Sequence, residues 1–154
     1  MPSGWRIQKA KYAATAFSGE GGRRFRGRWN SRGLQIIYLS AHQSLAALEV
    51  FVRTQPLSPA DKFVVVGAEW DESLMETCGV SELPAGWRTS PPHPETVAIG
   101  DRWVREERSA VLAVPSAIIP AERNFLLNPA HRDFRRIRIG KPAPFDFDPR
   151  MLHR

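Results

Sequence analysis

A single cysteine, Cys78, stands among 154 residues, so no internal disulfide can form, and nothing around it marks a reactive thiol. The four histidines, His42, His93, His131 and His153, lie far apart without ligand spacing, which argues against a metal site. No apolar run approaches the roughly 20 residues needed to cross a bilayer. The N-terminus carries no apolar core of a signal peptide either, so a cytosolic protein without membrane contact is expected. Internal repeats and low-complexity tracts are missing, which excludes solenoids and linker-rich architectures. Neither the P-loop nor the Rossmann glycine spacing occurs, and no Gly-x-Ser-x-Gly elbow supports a serine hydrolase.

With 42% hydrophobic residues, the chain is the right size for one domain, 1–154, around one sizeable core. Its 13 prolines and 11 glycines fall in short clusters, which predicts many short elements joined by ordered loops. The net charge of +6 is uneven: residues 1–53 carry +7, residues 54–108 carry −5 and residues 109–154 carry +4. Five arginines fall between Arg23 and Arg32, and arginine suits bidentate recognition of phosphate or carboxylate. A solvated basic loop would show the same composition.

The pattern predicts a short strand at Trp5–Ile7, then an ordered, irregular loop from Ser18 to Gly33. Leu34 to Leu39 (LQIIYL) reads as a strand buried on both faces. Ser40 with Gln43 fits a capping box opening a helix from about Ala41 to Thr54, ended by Pro56. Phe63 to Val66 is a further strand, extending toward Trp70, and residues 71–95 read as loops with a short helix. Weaker strands are predicted at Thr96–Ile99, Ala110–Val114, Asn124–Leu127 and Arg135–Ile139, with a helical turn or two over Asp101–Glu107. Prolines 115, 120 and 129 keep these strands short and antiparallel or mixed, so the expected class is α+β with few helices.

Glu49 is the most informative residue. With Leu45 as zero and about 100° per residue, Leu48 falls at about 300°, Val52 at about 340° and Glu49 at about 40°, inside the apolar stripe. An unpaired carboxylate there costs several kcal/mol, so it is paired, protonated or open to a cleft. Tyr38 precedes it at the strand end, with its ring half-buried and its hydroxyl toward a polar edge. In Arg26–Ser31 the glycine allows close backbone approach, Trp29 offers a flat face and Arg28 a phosphate fork. Ser116 follows a strand broken by Pro115, where it either exposes a hydroxyl or stabilises a turn. Asn124 and Asn128 are expected mainly to satisfy backbone groups. Together these residues suggest a site for an anionic, ring-containing ligand such as a dinucleotide. Two other classes compete: a basic nucleic-acid-binding protein or ribonuclease-type toxin, from the arginines interleaved with Phe25 and Trp29, and a module docking an acidic partner.

The ordered set Arg28-Trp29-Asn30, Tyr38, Ser44-Leu45-Ala46-Ala47-Leu48-Glu49, Val114-Pro115-Ser116, Asn124, Asn128-Pro129-x-His131 and Phe147-Asp148-Pro149-Arg150 resembles the RES-domain family. The similarity runs from Trp5-Arg6 through Gly19-Glu20-Gly21 to Arg150, with Arg24 and Arg32 at positions where the family varies. That family is named for an arginine, a glutamate and a serine, and its members are toxins paired with Xre-like antitoxins. The resemblance implies an ADP-ribosyltransferase-like fold and NAD+ as a substrate, with no cofactor or metal required. The nicotinamide–ribose bond would be cleaved by hydrolysis or phosphorolysis, or ADP-ribose passed to a protein. By motif, catalytic roles fall to Glu49, Tyr38, Arg28 and Ser116. Contacts to the nucleotide fall to Arg6, Arg28, Asn30, Tyr38 and Asn124. The implied partners are the antitoxin, NAD+, and inorganic phosphate or a protein acceptor, with nucleic acid reached only through the antitoxin. The arginine loop and the stretch from Arg150 to Arg154 are the expected antitoxin contacts.

Overall fold

Apolar, β-branched runs build the frame of the chain, whose computed structural model describes residues 1–54 and 56–152. His153 and Arg154, part of the expected antitoxin contact, lie outside the described residues. Strand β1 (Ser3–Lys9) pairs antiparallel with β3 (Phe63–Glu69) along its whole length, from Ser3 opposite Glu69 to Lys9 opposite Phe63. Strand β1 is longer than the predicted Trp5–Ile7 because backbone pairing continues past the apolar positions, and β3 runs on toward Trp70 as the pattern predicts. Strand β2 (Ile37–Ser40) begins three residues later than expected: Gly33, at φ +105°, is still turning the chain, and Gln35 is exposed.

Strands β5 (Val111–Pro115) and β6 (Arg123–Leu127) pair antiparallel, and β6 pairs antiparallel with β2. Strand β4 (Met75–Thr77), which the sequence reading places in a loop, adds a parallel edge to β5. At the other edge, β7 (Arg138–Ile139) and β8 (Ala143–Phe145) both pair with β3. The predicted strand Arg135–Ile139 is thus cut to two residues, since a 3-10 turn takes Phe134–Arg136. The sheet order is β4-β5-β6-β2-β1-β3-β7, and the expected mixed, short-stranded α+β class holds. Between β1 and β2 only one pair is in register, Trp5 opposite Ser40. The sheet therefore has a seam there, between two well-paired halves.

Helix α1 (Glu20–Arg24) occupies part of the loop expected to be irregular, entered through Gly19 at φ +79°. Helix α2 (Gln43–Arg53) follows β2, but its N-cap is His42 and the Ser40 capping box does not form. Ser40 is still in the strand, with its hydroxyl committed to Asn124. On α2 the residues buried are Leu45, Ala46 and Val50, while Val52 is 57% exposed. The buried face is thus rotated away from Val52, because Ala46 and Val50 pack on Ile7, Phe63 and Val65. Glu49 lies near the middle of that rotated face, by the same helical angle.

Helix α3 (Pro94–Arg105) replaces the strand predicted at Thr96–Ile99. Pro94 opens it at a position that needs no N–H, and His93 Nδ1 accepts the backbone N–H of Glu95 at 3.1 Å. Thr96, Gly100 and Trp103 are buried at helical spacing. A Cβ on Gly100 would sit 1.7 Å from the carbonyl oxygen of Trp29, so α3 is pressed directly against the Arg28–Asn30 backbone. Trp29, Trp87 and Trp103 then share one core cluster with Leu112 and Leu126. The Trp29 indole, expected as an open flat face, is therefore core, 2% exposed. Burial of that much aromatic surface outweighs any ligand contact it could make.

Candidate active site

Glu49 projects from α2 toward the C-terminal end of β2 and the start of β6. Its Oε2 accepts from Asn124 Nδ2 at 2.8 Å and from Ser116 Oγ at 3.3 Å. Among the described residues, its Oε1 accepts no hydrogen bond and no ion pair involves the carboxylate. The side chain is half-buried, so one oxygen is pinned and the other is available. Asn124 is itself oriented: its Oδ1 accepts from Ser40 Oγ at 2.8 Å, which turns the amide N–H toward Glu49. Asn124 thus serves a side chain and not the backbone. Of the two readings of Ser116, the turn-stabilising one holds: its hydroxyl is buried, not exposed, and accepts from the backbone N–H groups of Ile118 and Ile119, at 3.1 and 3.2 Å, while it donates to Glu49.

Two residues before Ser40 on the same face of β2, Tyr38 donates its hydroxyl to Asn30 Oδ1. Burial is the main reason that the phenol stays protonated well above its ordinary range. Asn30 is fully buried, and its Nδ2 is shared among the carbonyls of Gly22, Phe25 and Ser31 at 3.0–3.2 Å. Gly27 makes room for this pair: a Cβ there would lie 2.6 Å from Asn30 Oδ1 and 2.7 Å from the Tyr38 hydroxyl. The close approach that the glycine permits is therefore to Tyr38 and Asn30. Asn30 holds Tyr38 in place, and its own polar atoms are all occupied.

Of the arginines in the loop, Arg23 and Arg24 pair with Glu20 at the surface, and Arg26 and Arg32 are exposed. Arg28 alone turns inward, where Nη1 donates to the carbonyls of Trp87 and Thr89 at 2.9 and 2.8 Å. Burial lowers its pKa and the charge of Glu49 opposes that shift, so the two groups lie within electrostatic reach. With Nη1 anchored on protein, the Nη2 and Nε side of the fork, which has no hydrogen-bond partner among the described residues, could meet an anion. From β1, Arg6 reaches across the seam, donating to the Tyr38 carbonyl at 3.0 Å and to Gln8 Oε1 at 2.9 Å. Burial, then the charge of Arg53, pulls its guanidinium down to about 10.

The fold thus brings six of the seven sequence-predicted residues around the end of β2, with Asn30 supporting from behind. Two further residues, Ser40 and Arg53, were missed. Ser40 has the spacing of a helix cap, but its hydroxyl goes to Asn124. Arg53 follows Glu49 by four residues, a spacing that places both on one helix face. The arrangement has two ends: a carboxylate with a free oxygen to meet positive charge, and guanidinium groups to meet negative charge.

A family model described as the RES domain matches residues 3–148. The chain belongs to the RES domain family. Among its relatives, the protein named Toxin Res from Yersinia enterocolitica is 36% identical over 96% of this chain and 97% of that protein. The Prs ADP-ribosylating toxin from a Sphingobium strain is also 36% identical, over 97% of this chain and 96% of its own length. In fold, the RES chain resembles a chain in the crystal structure of the M. tuberculosis MbcT–MbcA toxin–antitoxin complex. The TM-score is 0.75 at 17% identity, covering 93% of this chain and 83% of that one.

Proposed function

We propose that this RES-domain chain is the toxin of a toxin–antitoxin pair and consumes NAD+ by cleaving the bond between nicotinamide and ribose. The observation that carries the reading is the half-buried Glu49 carboxylate, pinned through one oxygen and, among the described residues, free at the other, within electrostatic reach of Arg28. Its relatives add support: one is named an ADP-ribosylating toxin and another Toxin Res, both at 36% identity over nearly the full chain.

Breaking the bond between ribose C1′ and the pyridinium nitrogen returns the bonding pair to nicotinamide, which leaves neutral. No strong acid is needed. The ribose becomes oxocarbenium-like, and the free oxygen of Glu49 stabilises that positive charge from a fixed position. Asn124 and Ser116 fix the carboxylate so that little reorganisation accompanies the reaction. The Tyr38 ring lies against nicotinamide, and Arg6 and Arg28 face the phosphates. An oxygen of water, phosphate or a protein side chain then bonds to C1′, and any proton on that oxygen passes to solvent, which gives ADP-ribose, its 1″-phosphate or an ADP-ribosylated protein. The partner is an Xre-like antitoxin, and nucleic acid enters only through it. A direct nucleic-acid-binding reading loses support because Trp29 is core and Arg23 and Arg24 are paired with Glu20.

The test is incubation of the purified chain with NAD+, with and without inorganic phosphate, following nicotinamide and the second product by chromatography. Release in both arms identifies water as the acceptor, release with a phosphorylated second product only in the phosphate arm identifies phosphate, and release only after addition of cell protein identifies a protein acceptor. Intact NAD+ in both arms and in the presence of cell protein would reject the proposal.

A further inference from the structure

Arg53, in the last turn of α2, belongs to no ion pair among the described residues, and neither does Arg6. Arg53 Nε donates to the Glu49 carbonyl at 3.2 Å, which keeps its guanidinium along the helix face that carries Glu49. That face packs on β1: Ala46 and Val50 share a core cluster with Ile7, the residue after Arg6. Arg6 extends from β1 across the seam to the Tyr38 carbonyl. The two cations feel each other, since the charge of Arg53 is the second cause, after burial, of the lowered Arg6 pKa, and it reaches Tyr38 as well. Like charges held together without an anion are unfavourable, and an anion between them reverses the sign.

We propose that Arg6 and Arg53 form a phosphate clamp at the seam, with one jaw from β1 and the other from α2, which grips the pyrophosphate of the nicotinamide dinucleotide. The assignment rests on the NAD+ reading above and adds a selectivity to it. A dinucleotide engages the clamp and nicotinamide riboside, which has no phosphate, does not. The competing role for Arg53 is compensation of the negative end of the helix dipole, which would leave anion binding unaltered.

Calorimetric titration with inorganic pyrophosphate at low ionic strength separates these roles, using the parent, Arg53→Gln and Arg105→Gln. Arg105 is exposed in α3 and removes the same charge. Arg53→Gln is expected to weaken pyrophosphate binding about tenfold or more, the size of a lost charge-assisted hydrogen bond, while Arg105→Gln stays within about twofold. In the NAD+ reaction the same variant should raise KM about tenfold with kcat nearly constant, and leave cleavage of nicotinamide riboside unchanged. A parent that does not bind pyrophosphate, or an Arg53→Gln protein that binds it as Arg105→Gln does, overturns the clamp. If binding depends on Arg53 but the parent leaves NAD+ intact, the clamp stands and the glycosidic-cleavage reading falls.

Discussion

Tyr38 and Ser40, two residues apart on one face of β2, each enter a polar cluster, and the two clusters differ in what they leave over. Around Tyr38, the fully buried Asn30 gives its amide hydrogens to three carbonyls and its oxygen to the phenol, so nothing remains for a ligand. Around Ser40, the chain of donors runs from Ser40 to Asn124 to Glu49 and stops at a carboxylate with one oxygen unengaged. The first cluster is closed, and the second is the one that the proposed reaction would use. An asparagine completely satisfied in the core and a glutamate half-satisfied at its rim look equally suggestive in a sequence. Only the count of occupied lone pairs tells them apart.

Breaking the open cluster should have the largest effect on activity. Glu49→Gln keeps an oxygen for Asn124 to donate to but removes the charge. Nicotinamide release from NAD+ is therefore expected to fall about 100-fold or more, with KM changed only a few-fold and circular dichroism unaltered. Breaking the closed cluster should appear first as lost stability. Asn30→Ala strands the buried Gly22 carbonyl and the Tyr38 hydroxyl and removes the donor of the part-buried Phe25 and Ser31 carbonyls, and a urea titration is expected to show a loss of about 2–4 kcal/mol. Activity should decline with it, because Tyr38 loses its anchor.

Ser40→Ala sharpens the comparison at lower cost. It removes one neutral hydrogen bond, about 1 kcal/mol of stability, but it also releases the Asn124 amide. Its kcat is expected to drop about tenfold with KM little changed; an unchanged kcat would show that Asn124 holds its orientation without Ser40. The smallest effect is a pH dependence of the closed cluster. The Tyr38 pKa is raised in the fold, so above its ordinary value of 10.0 the unfolded chain loses the phenolic proton first. Stability from this group is complete below pH 10 and declines as pH rises beyond it. By pH 11 the parent should have lost about 1 kcal/mol more than Tyr38→Phe, read from urea midpoints at the two pH values.

Much of the frame was legible because it follows local rules. The strand positions of β1, β3, β5 and β6 were visible as apolar runs, and α2 was visible as a stripe. Helix α3 is hidden in the sequence because Thr96–Ile99 is locally β-prone. The stronger signals were Pro94 at the first helical position and the 4-then-3 spacing of Thr96, Gly100 and Trp103, which only the packing against Trp29 makes decisive. Ser40 had the spacing of a helix cap, but a partner 84 residues away took its hydroxyl. Such a contact has no local trace. The arginine cluster misleads in the opposite sense: four of its five members stay at the surface and only Arg28 turns inward, while Arg6 and Arg53, which act on each other, come from β1 and the end of α2.

The most direct test is a crystal structure of the Glu49→Gln protein with intact NAD+. The ribose C1′ is expected within about 3.5 Å of the side-chain oxygen at position 49, with nicotinamide against the Tyr38 ring and the phosphates between Arg6 and Arg53. NAD+ bound elsewhere, or with its ribose turned away from position 49, would contradict the account.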